Sequence, residues 1–251
     1  GWLGGTWDRA RFEGLAAEAG VEIRSAEDAA TAACRLLKQD LDQGAVGLKI
    51  RAGDLRTPHR AAAEAAFRHG YQGPGASARL SAFCDYLFDR SLDIAAEADV
   101  PVAVHTGYWG DFRTLDPKFL LGIALRRPDV RFDLFHLGMP MIRDAILIGK
   151  SLPNVTLNLT WCPVISQVQT VRALDEVLDM VPLNKVSAFG GDYRVAVQKA
   201  WGHLVMAREC IAAALAHRIE AGDFDREEAL RIARMWFYEN PARIYGVGKQ
   251  P

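Results

Sequence analysis

The chain has 251 residues, half of them hydrophobic, and a formal net charge of −1 at pH 7. This length and apolar fraction are enough for one sizeable core, so we expect a single domain over residues 1–251. The near-neutral charge gives no electrostatic reason to expect nucleic acid or an anionic membrane as a partner. No apolar run approaches the roughly 20 residues that span a bilayer, which argues against a membrane protein.

The cysteines indicate a reducing compartment. All four lie far apart, with no C-x-x-C pair, which favours reduced thiols in a cytoplasmic protein over a disulfide framework. Cys162 follows a predicted strand, so a role at a site mouth is conceivable, but packing is the simpler interpretation. No signal peptide is visible, and because the first residue is Gly1 rather than methionine we expect a processed or truncated start.

Helices and strands alternate along the chain. Ser25 is a good N-cap, acidic residues follow it in the first turn, and Gly44 provides a stop, which together predict one clear helix. Residues 21–24 read as a short extended stretch, and 240–246 as a closing tail. The other predicted helices cover residues 8–19, 60–68, 79–98, 117–127, 142–151, 170–180, 198–221 and 226–236. The predicted strands cover residues 45–51, 100–105, 130–136, 155–161 and 186–192.

This alternation predicts an α/β fold with parallel strands and right-handed crossovers. The pattern gives five confident strands, whereas a complete (β/α)₈ barrel needs eight. Five strands leave open sheet edges, which proteins normally cover. We therefore expect further strands in the native chain, or a homo-oligomer in which another subunit covers the edges.

Three of the predicted strands end in residues suited to metal chemistry. Two end in histidine followed by a residue and a glycine, at His105 and His136, and the last ends in Gly-Gly-Asp192. The carboxyl ends of parallel strands share one face, where active sites are built. One such histidine is more often simply satisfied by a backbone carbonyl, and one such aspartate often caps a helix. Their recurrence favours a divalent-metal hydrolytic or lyase centre.

Other polar and aromatic residues follow the same strand ends. Lys49 lies inside an apolar strand and shares its face with Arg51. It either points outward or reaches the mouth of the site at the carboxyl ends of the strands. In the second case it would hold a substrate carboxylate or be modified to a bridging carbamate. Arginines on loops after strands are suited to gripping carboxylates. The candidate substrate-binding residues are therefore Lys49, Arg113, Trp161, Tyr193 and Arg194.

In these residues the chain resembles the amidohydrolase superfamily. The resemblance is to the amidohydrolase 2 branch, which includes aminocarboxymuconate-semialdehyde decarboxylase-like and uronate isomerase-like enzymes. It covers roughly residues 25–247, and the matching segments occur in family order. They are Gly47-Leu-Lys-Ile50, Val104-His-Thr-Gly107, Asp133-Leu-Phe-His-Leu-Gly138, Phe189-Gly-Gly-Asp-Tyr193, Trp201-Gly-His203 and Asn240-Pro-Ala-Arg-Ile-Tyr-Gly246.

The resemblance implies a metal-dependent (β/α)₈ barrel of the TIM type. By similarity, His105 matches a metal ligand on the fifth strand. His136 matches a sixth-strand histidine that binds metal or acts as acid or base, and Asp192 an eighth-strand aspartate that binds metal and shuttles a proton. The sequence departs from the family in having no H-x-H pair, which normally ends the first strand. We therefore expect residues 1–251 to form the C-terminal two-thirds of a longer barrel, or a degenerate member.

These expectations converge on a metal-dependent hydrolase of a small, carboxylate-bearing molecule. Zinc is the first choice of ion and manganese the second, with Asp192 taking the proton of the activated water. Decarboxylation or sugar-acid isomerisation on the same ligands is the alternative reaction. A metal-free barrel that serves as a binding or assembly module is the non-enzymatic alternative.

Overall fold

A computed structural model describes residues 7–51, 53, 56–72, 81–109, 111–193 and 197–248. In this part of the chain, five parallel strands form one sheet in the order in which they occur along the sequence. Each strand returns through helices, as the alternation predicts. The strands are β1 (Leu48–Arg51), β2 (Val102–His105), β3 (Phe132–Phe135), β4 (Val155–Asn158) and β5 (Val186–Ser187).

Helices precede and separate the strands. No helix in the described part of the chain is long and apolar enough to cross a membrane. Three of the helices, α7, α8 and α9, pack against one another after β4 and β5. The helices are α1 (Arg9–Ala19), α2 (Ala26–Asp42), α3 (Arg60–Gln72), α4 (Ser81–Glu97), α5 (Phe119–Arg126), α6 (Ile142–Ser151), α7 (Cys162–Ile165), α8 (Gln167–Met180), α9 (Gln198–Glu220), α10 (Arg226–Arg234) and α11 (Asn240–Tyr245).

The two faces of the sheet differ sharply in chemistry. Residues paired in register across parallel strands share a face, and successive residues alternate between faces. One face carries only apolar side chains, such as Ile50, Val104 and Leu134, which join the main core beneath the helices. The other is the inner face, and it carries the polar side chains of the strands. Its polar members are Lys49, Arg51, His105, Asp133, Thr156, Asn158 and Ser187, and Ala103 and Phe135 lie on the same face.

A second core packs the first four helices together. It is rich in aromatic rings: Phe12 stands edge-on to Phe67 and to Phe83, with ring centroids 4.9 and 5.2 Å apart. The Ser25 hydroxyl accepts a hydrogen bond from the Asp28 amide, so the predicted N-cap of α2 is confirmed. Residues 21–24 form no strand.

The strands are shorter than the sequence pattern predicts. The clearest case is β5, which ends at Ser187. Beyond it, the Ala188 amide donates to the Trp236 carbonyl at 2.9 Å. Helix α6 covers the predicted residues 142–151. The predicted tail is instead the short helix α11, so this part of the prediction was wrong.

Helix α11 closes the amino-terminal end of the sheet. The buried Asn240 amide donates to the carbonyls of Leu183 and Val186, each at 2.8 Å. Arg131, at the start of β3, donates to the Ile244 carbonyl at 2.7 Å. These side chains tie α11 to the beginnings of β3 and β5.

Replacing Asn240 by alanine should destabilise the protein by about 1–3 kcal/mol, because the buried Val186 carbonyl loses its side-chain donor and the Leu183 carbonyl keeps only the Trp236 indole. Urea denaturation measures the change in the free energy of unfolding. Asn184→Ala is the matched control, since this asparagine is exposed and only its main-chain carbonyl accepts a bond. Equal stability of the two variants would show that the Asn240 bonds do not anchor α11.

Candidate metal centre

The three residues selected at strand ends come together in the fold. His105 ends β2, His136 follows β3 directly, and Asp192 lies in the loop after β5. One potential ligand atom from each lies within 4.8 Å of the others. Both histidines are buried, whereas about a quarter of the Asp192 side chain is exposed (26%). The arrangement is a buried pair of imidazoles beside a carboxylate that faces the mouth.

Backbone carbonyls fix the proton on each imidazole. His136 Nδ1 lies 2.8 Å from the Thr160 carbonyl oxygen, and His105 Nε2 lies 3.1 Å from that of Tyr108. A carbonyl oxygen can only accept, so both of these nitrogens carry the hydrogen. The other two nitrogens, His136 Nε2 and His105 Nδ1, face each other at 2.9 Å. In the neutral rings both of these facing nitrogens present lone pairs.

Burial keeps both rings neutral. It lowers the pKa of His136 to about 3, with the neighbouring His105 as the next contribution. It also lowers the pKa of His105, where the positive charge of Lys49 acts in the same direction. Two facing lone pairs repel each other unless a cation lies against them. Neutral imidazole nitrogens and a carboxylate are good ligands for a divalent metal, so the residues present fit such an ion.

Lys49 supplies positive charge beside the carboxylate. Its Nζ lies 3.2 Å from both oxygens of Asp192 and 4.5 Å from the centroid of the Phe135 ring. One Asp192 oxygen lies 3.8 Å from His136 Nε2. Lys49 thus points inward to the mouth, as one of the two sequence interpretations required. Its ammonium and a metal ion would compete for the same carboxylate.

The backbone at the site adopts left-handed conformations in non-glycine residues. His136, Trp161 and Asp192 have φ of +66°, +63° and +47°. Such values are uncommon outside glycine and cost about 1–3 kcal/mol each where the side chain is bulky. These positions lie in the segments that follow β3, β4 and β5. The packing of the site therefore outweighs the backbone preference.

An aromatic wall borders the metal centre. The Trp161 ring is tilted 32° to that of His136, with centroids 5.1 Å apart, and its Nε1 donates to the Gly191 carbonyl at 3.0 Å. Trp109 and Tyr193 pack on Trp161 at 5.5 and 6.0 Å. Trp109 is 57% exposed, so indole surface remains open to a ligand.

A buried polar network on the inner face was missed by sequence reasoning. Asp133 is fully buried, and its carboxylate accepts hydrogen bonds from Tyr245 (2.6 Å), Asn158 (2.8 Å) and Thr156 (2.8 Å). Burial raises the pKa of Asp133, while these three donors act in the opposite direction. The available signal was the alternation of polar with apolar residues along β3 and β4, which places Asp133, Thr156 and Asn158 on one face.

This network continues to the metal centre. The Asn158 side-chain oxygen accepts from both the amide (3.0 Å) and the hydroxyl (2.5 Å) of Thr160. Thr160 is the residue whose carbonyl holds His136. Gly190 lies against this contact, since a Cβ there would stand 2.0 Å from the Thr160 hydroxyl oxygen. The buried carboxylate and the orientation of His136 are thus linked through two side chains.

The remaining sequence candidates have different surroundings. Arg113 lies on an exposed turn and forms a bidentate ion pair with Asp111 at 2.7 and 2.8 Å, so its guanidinium is already bound. Arg194 lies outside the described residues. Cys162 is fully buried, which agrees with the packing interpretation. His203 is buried against Phe189 and Tyr193, with no hydrogen-bond partner among the described residues.

Comparison with known proteins identifies relatives of this chain. A family model described as amidohydrolase matches residues 6–247. The protein fluG of Emericella nidulans is 26% identical over 176 residues, which cover 66% of this chain and 20% of that protein.

Solved structures with the same fold share little sequence. A putative metal-dependent hydrolase from Lactobacillus casei superposes with a TM-score of 0.77 at 18% identity, covering 95% of this chain and 64% of its own. Glucuronate isomerase from Caulobacter crescentus gives 0.79 at 19%, covering 96% and 55%. Uronate isomerase from Thermotoga maritima gives 0.81 at 14%, covering 94% and 57%. The chain therefore has the fold of these proteins and spans about 55–64% of their length.

Metal-depleted protein should lose stability as the pH falls from 7 to 4. The His136 pKa of about 3 lies below its ordinary value of 6.5, so between these values the unfolded chain binds a proton that the folded chain does not. The contribution is complete above about pH 6.5 and declines by up to about 1.4 kcal/mol per pH unit down to about pH 3. Urea denaturation across this range should show a shallower decline in His136→Gln. An equal decline in both proteins would contradict the assignment of a neutral, buried imidazole.

Replacing Lys49 by methionine should strengthen zinc binding roughly five- to tenfold, because the ammonium no longer competes for both Asp192 oxygens. Methionine keeps an apolar chain beside Phe135. Calorimetric titration of Zn²⁺ into metal-depleted protein measures the affinity, with the exposed Lys150→Met as matched control. Weaker zinc binding in Lys49→Met than in the control would show that Lys49 supports the ion rather than competing with it.

Proposed function

We propose that this chain, which belongs to the amidohydrolase family, acts as a metal-dependent hydrolase on a small, carboxylate-bearing molecule. The observation that carries the proposal is the convergence of His105 and His136, whose facing ring nitrogens lie 2.9 Å apart, beside Asp192. The fold shared with a putative metal-dependent hydrolase supports it.

His105, His136 and Asp192 are the residues that would hold the ion. Two imidazole nitrogens and one carboxylate oxygen suit zinc best, with manganese as the alternative. A bound divalent ion would lower the pKa of a water molecule to about 7 and polarise a carbonyl group. The burial of the two histidines would strengthen these effects by excluding bulk water.

Asp192 is suited to moving the proton. Its carboxylate is the exposed member of the group, next to His136 and open to the mouth. It can therefore accept a proton from the attacking water and return it to the leaving group.

The hydrogen bonding of His136 bears on whether this residue binds the metal or polarises the scissile carbonyl of the substrate. Because Nδ1 donates to the Thr160 carbonyl, Nε2 has no hydrogen to offer to a substrate carbonyl. A ring with pKa near 3 also does not carry the second proton at neutral pH. These observations favour His136 as a metal ligand over His136 as the group that polarises the scissile carbonyl.

Two cationic side chains on the inner face would bind the substrate carboxylate. If Asp192 held an ion, the Lys49 ammonium, which now contacts both of its oxygens, would be available to a substrate carboxylate. Arg51 lies in register with His105, where its Nη2 donates to the Trp109 carbonyl at 2.8 Å. The rings of Trp161 and Tyr193 would border the rest of the substrate, and Arg113 and Arg194 remain candidates for contacts that form on binding.

Two alternatives use the same residues. Decarboxylation or isomerisation of a sugar acid would need the same ligands and carboxylate grip, and two structural relatives are named as glucuronate and uronate isomerases. A metal-free binding module is favoured by one observation, the Lys49–Asp192 pair, which neutralises the carboxylate without an ion. Release of carbon dioxide or of a ketose from a candidate acid would identify the lyase or the isomerase.

Homo-oligomerisation and a cytoplasmic location also remain proposals. The sheet leaves β1 and β5 as edges among the described strands, which supports covering by another subunit or by further strands.

Asp192→Asn should reduce turnover at least 10³-fold (an order-of-magnitude expectation) and lower the metal content, while the fold is retained. Elemental analysis and a substrate screen of carboxylic amides, lactones and uronates measure both effects. Asp129→Asn is the matched control, since Asp129 is an exposed aspartate paired with Arg127. About one equivalent of zinc or manganese, lost only in Asp192→Asn, is the expected result. Unchanged turnover in Asp192→Asn would refute the mechanism.

A further inference from the structure

A second cavity lies at the opposite end of the strands from the metal centre. It has a volume of about 500 Å³ and is lined by residues at the amino-terminal ends of β2 to β5, together with α6 and α11. Pro101, Pro153 and Pro182 form part of its wall and restrict the local backbone. The cavity is therefore a built concave surface at the closed end of the sheet.

The charge of this cavity has one sign. Four cationic side chains line it, and none of its described lining residues is aspartate or glutamate. They are Arg131, Lys150, Lys185 and Arg243. A cleft lined by one sign of charge concentrates the field and attracts counter-ions.

Three of these cations have no carboxylate partner among the described residues. Arg131 is paired with Asp99 at 3.0 Å. Lys185 donates only to main-chain carbonyls, those of Gly149 and Leu152, the latter at 2.6 Å. Arg243 donates to the Asn184 carbonyl through one nitrogen. Lys150 is exposed, which leaves its ammonium accessible.

The positive charge of the cavity is local and does not follow from the overall charge. The chain has balanced charge, with 30 basic and 31 acidic residues. Outside the cavity, carboxylates partner arginines such as Arg143, on Glu176, and the half-buried Arg218, on Asp223. Burial lowers the pKa of Lys185, because removal from water disfavours its positive charge, which no carboxylate among the described residues compensates. A bound anion would supply that compensation.

We propose that this cavity binds a small phosphate-bearing anion. Arginine donates two parallel bonds to a phosphate, and lysine contributes a compact charge, so Arg243 with Lys150 and Lys185 matches a tetrahedral polyanion. The volume accommodates a diphosphate or a phosphorylated metabolite of similar size. The ligand would bind at the closed end of the sheet and would not contact His105, His136 or Asp192.

Calorimetric titration with pyrophosphate, at constant ionic strength set by sodium chloride, tests the proposal. One saturable site is expected in the full chain. Lys150→Ala and Arg243→Ala should each weaken it roughly tenfold, because each removes a charged donor. Lys150→Ala breaks no hydrogen bond found in the described structure, so loss of folding does not explain its effect. Inorganic phosphate should bind the same site more weakly.

Two controls locate the site. Lys199→Ala combined with Arg226→Ala removes the same two charges from exposed positions outside the cavity and should leave pyrophosphate affinity unchanged. Lys49→Met should also leave it unchanged. Binding that is lost in Lys49→Met and kept in Lys150→Ala would place the anion at the metal centre and overturn the proposal. The absence of saturable binding, or equal weakening by the control pair, would overturn it as well.

Discussion

Two imidazole nitrogens that both lack hydrogen, held 2.9 Å apart in a buried site, are the constraint on which the rest of this structure depends. The pairing is unfavourable by itself, and it persists because the carbonyls of Thr160 and Tyr108 hold the outer nitrogens of the two rings. Those carbonyls are positioned by the loops that follow β4 and β2. A cation bound between the two nitrogens would therefore stabilise the site. The hydrogen bonds to the surrounding fold prevent the rings from rotating apart to reduce the repulsion between their lone pairs.

Two charged side chains, Asp192 and Lys49, lie next to the two imidazole rings. Asp192 follows two glycines, and its own left-handed backbone conformation turns its side chain toward the rings. Lys49 reaches the carboxylate from β1, the strand at the opposite edge of the sheet from β5. The lysine neutralises the carboxylate without an ion, while its positive charge lowers the pKa of both histidines. One ammonium therefore influences every candidate ligand.

The inner face connects the two ends of the sheet. At the amino-terminal end, the Tyr245 hydroxyl from α11 reaches Asp133, and the hydrogen bonds then pass through Asn158 to Thr160 and the ring of His136. A fully buried carboxylate is costly unless it is satisfied, and here three donors satisfy it. The hydrogen-bonded side chains of Asp133, Asn158 and Thr160 consequently hold the ring of His136 in place from beneath the site. The apolar outer face, packed under the helices, provides the stability that this support requires.

The sequence by itself determined the parallel α/β class, the family resemblance and the identities of His105, His136 and Asp192, because strand periodicity and residues at strand ends are local signals. Helix α6 and the Ser25 cap were predictable for the same reason. Only the tertiary structure decided the proton positions on the imidazoles, the Lys49–Asp192 pair and the role of Tyr245 beneath Asp133. Each of these joins residues from distant strands or helices, up to 143 positions apart. Such contacts depend on how the strands and helices pack together, and no pattern within a short segment specifies that packing.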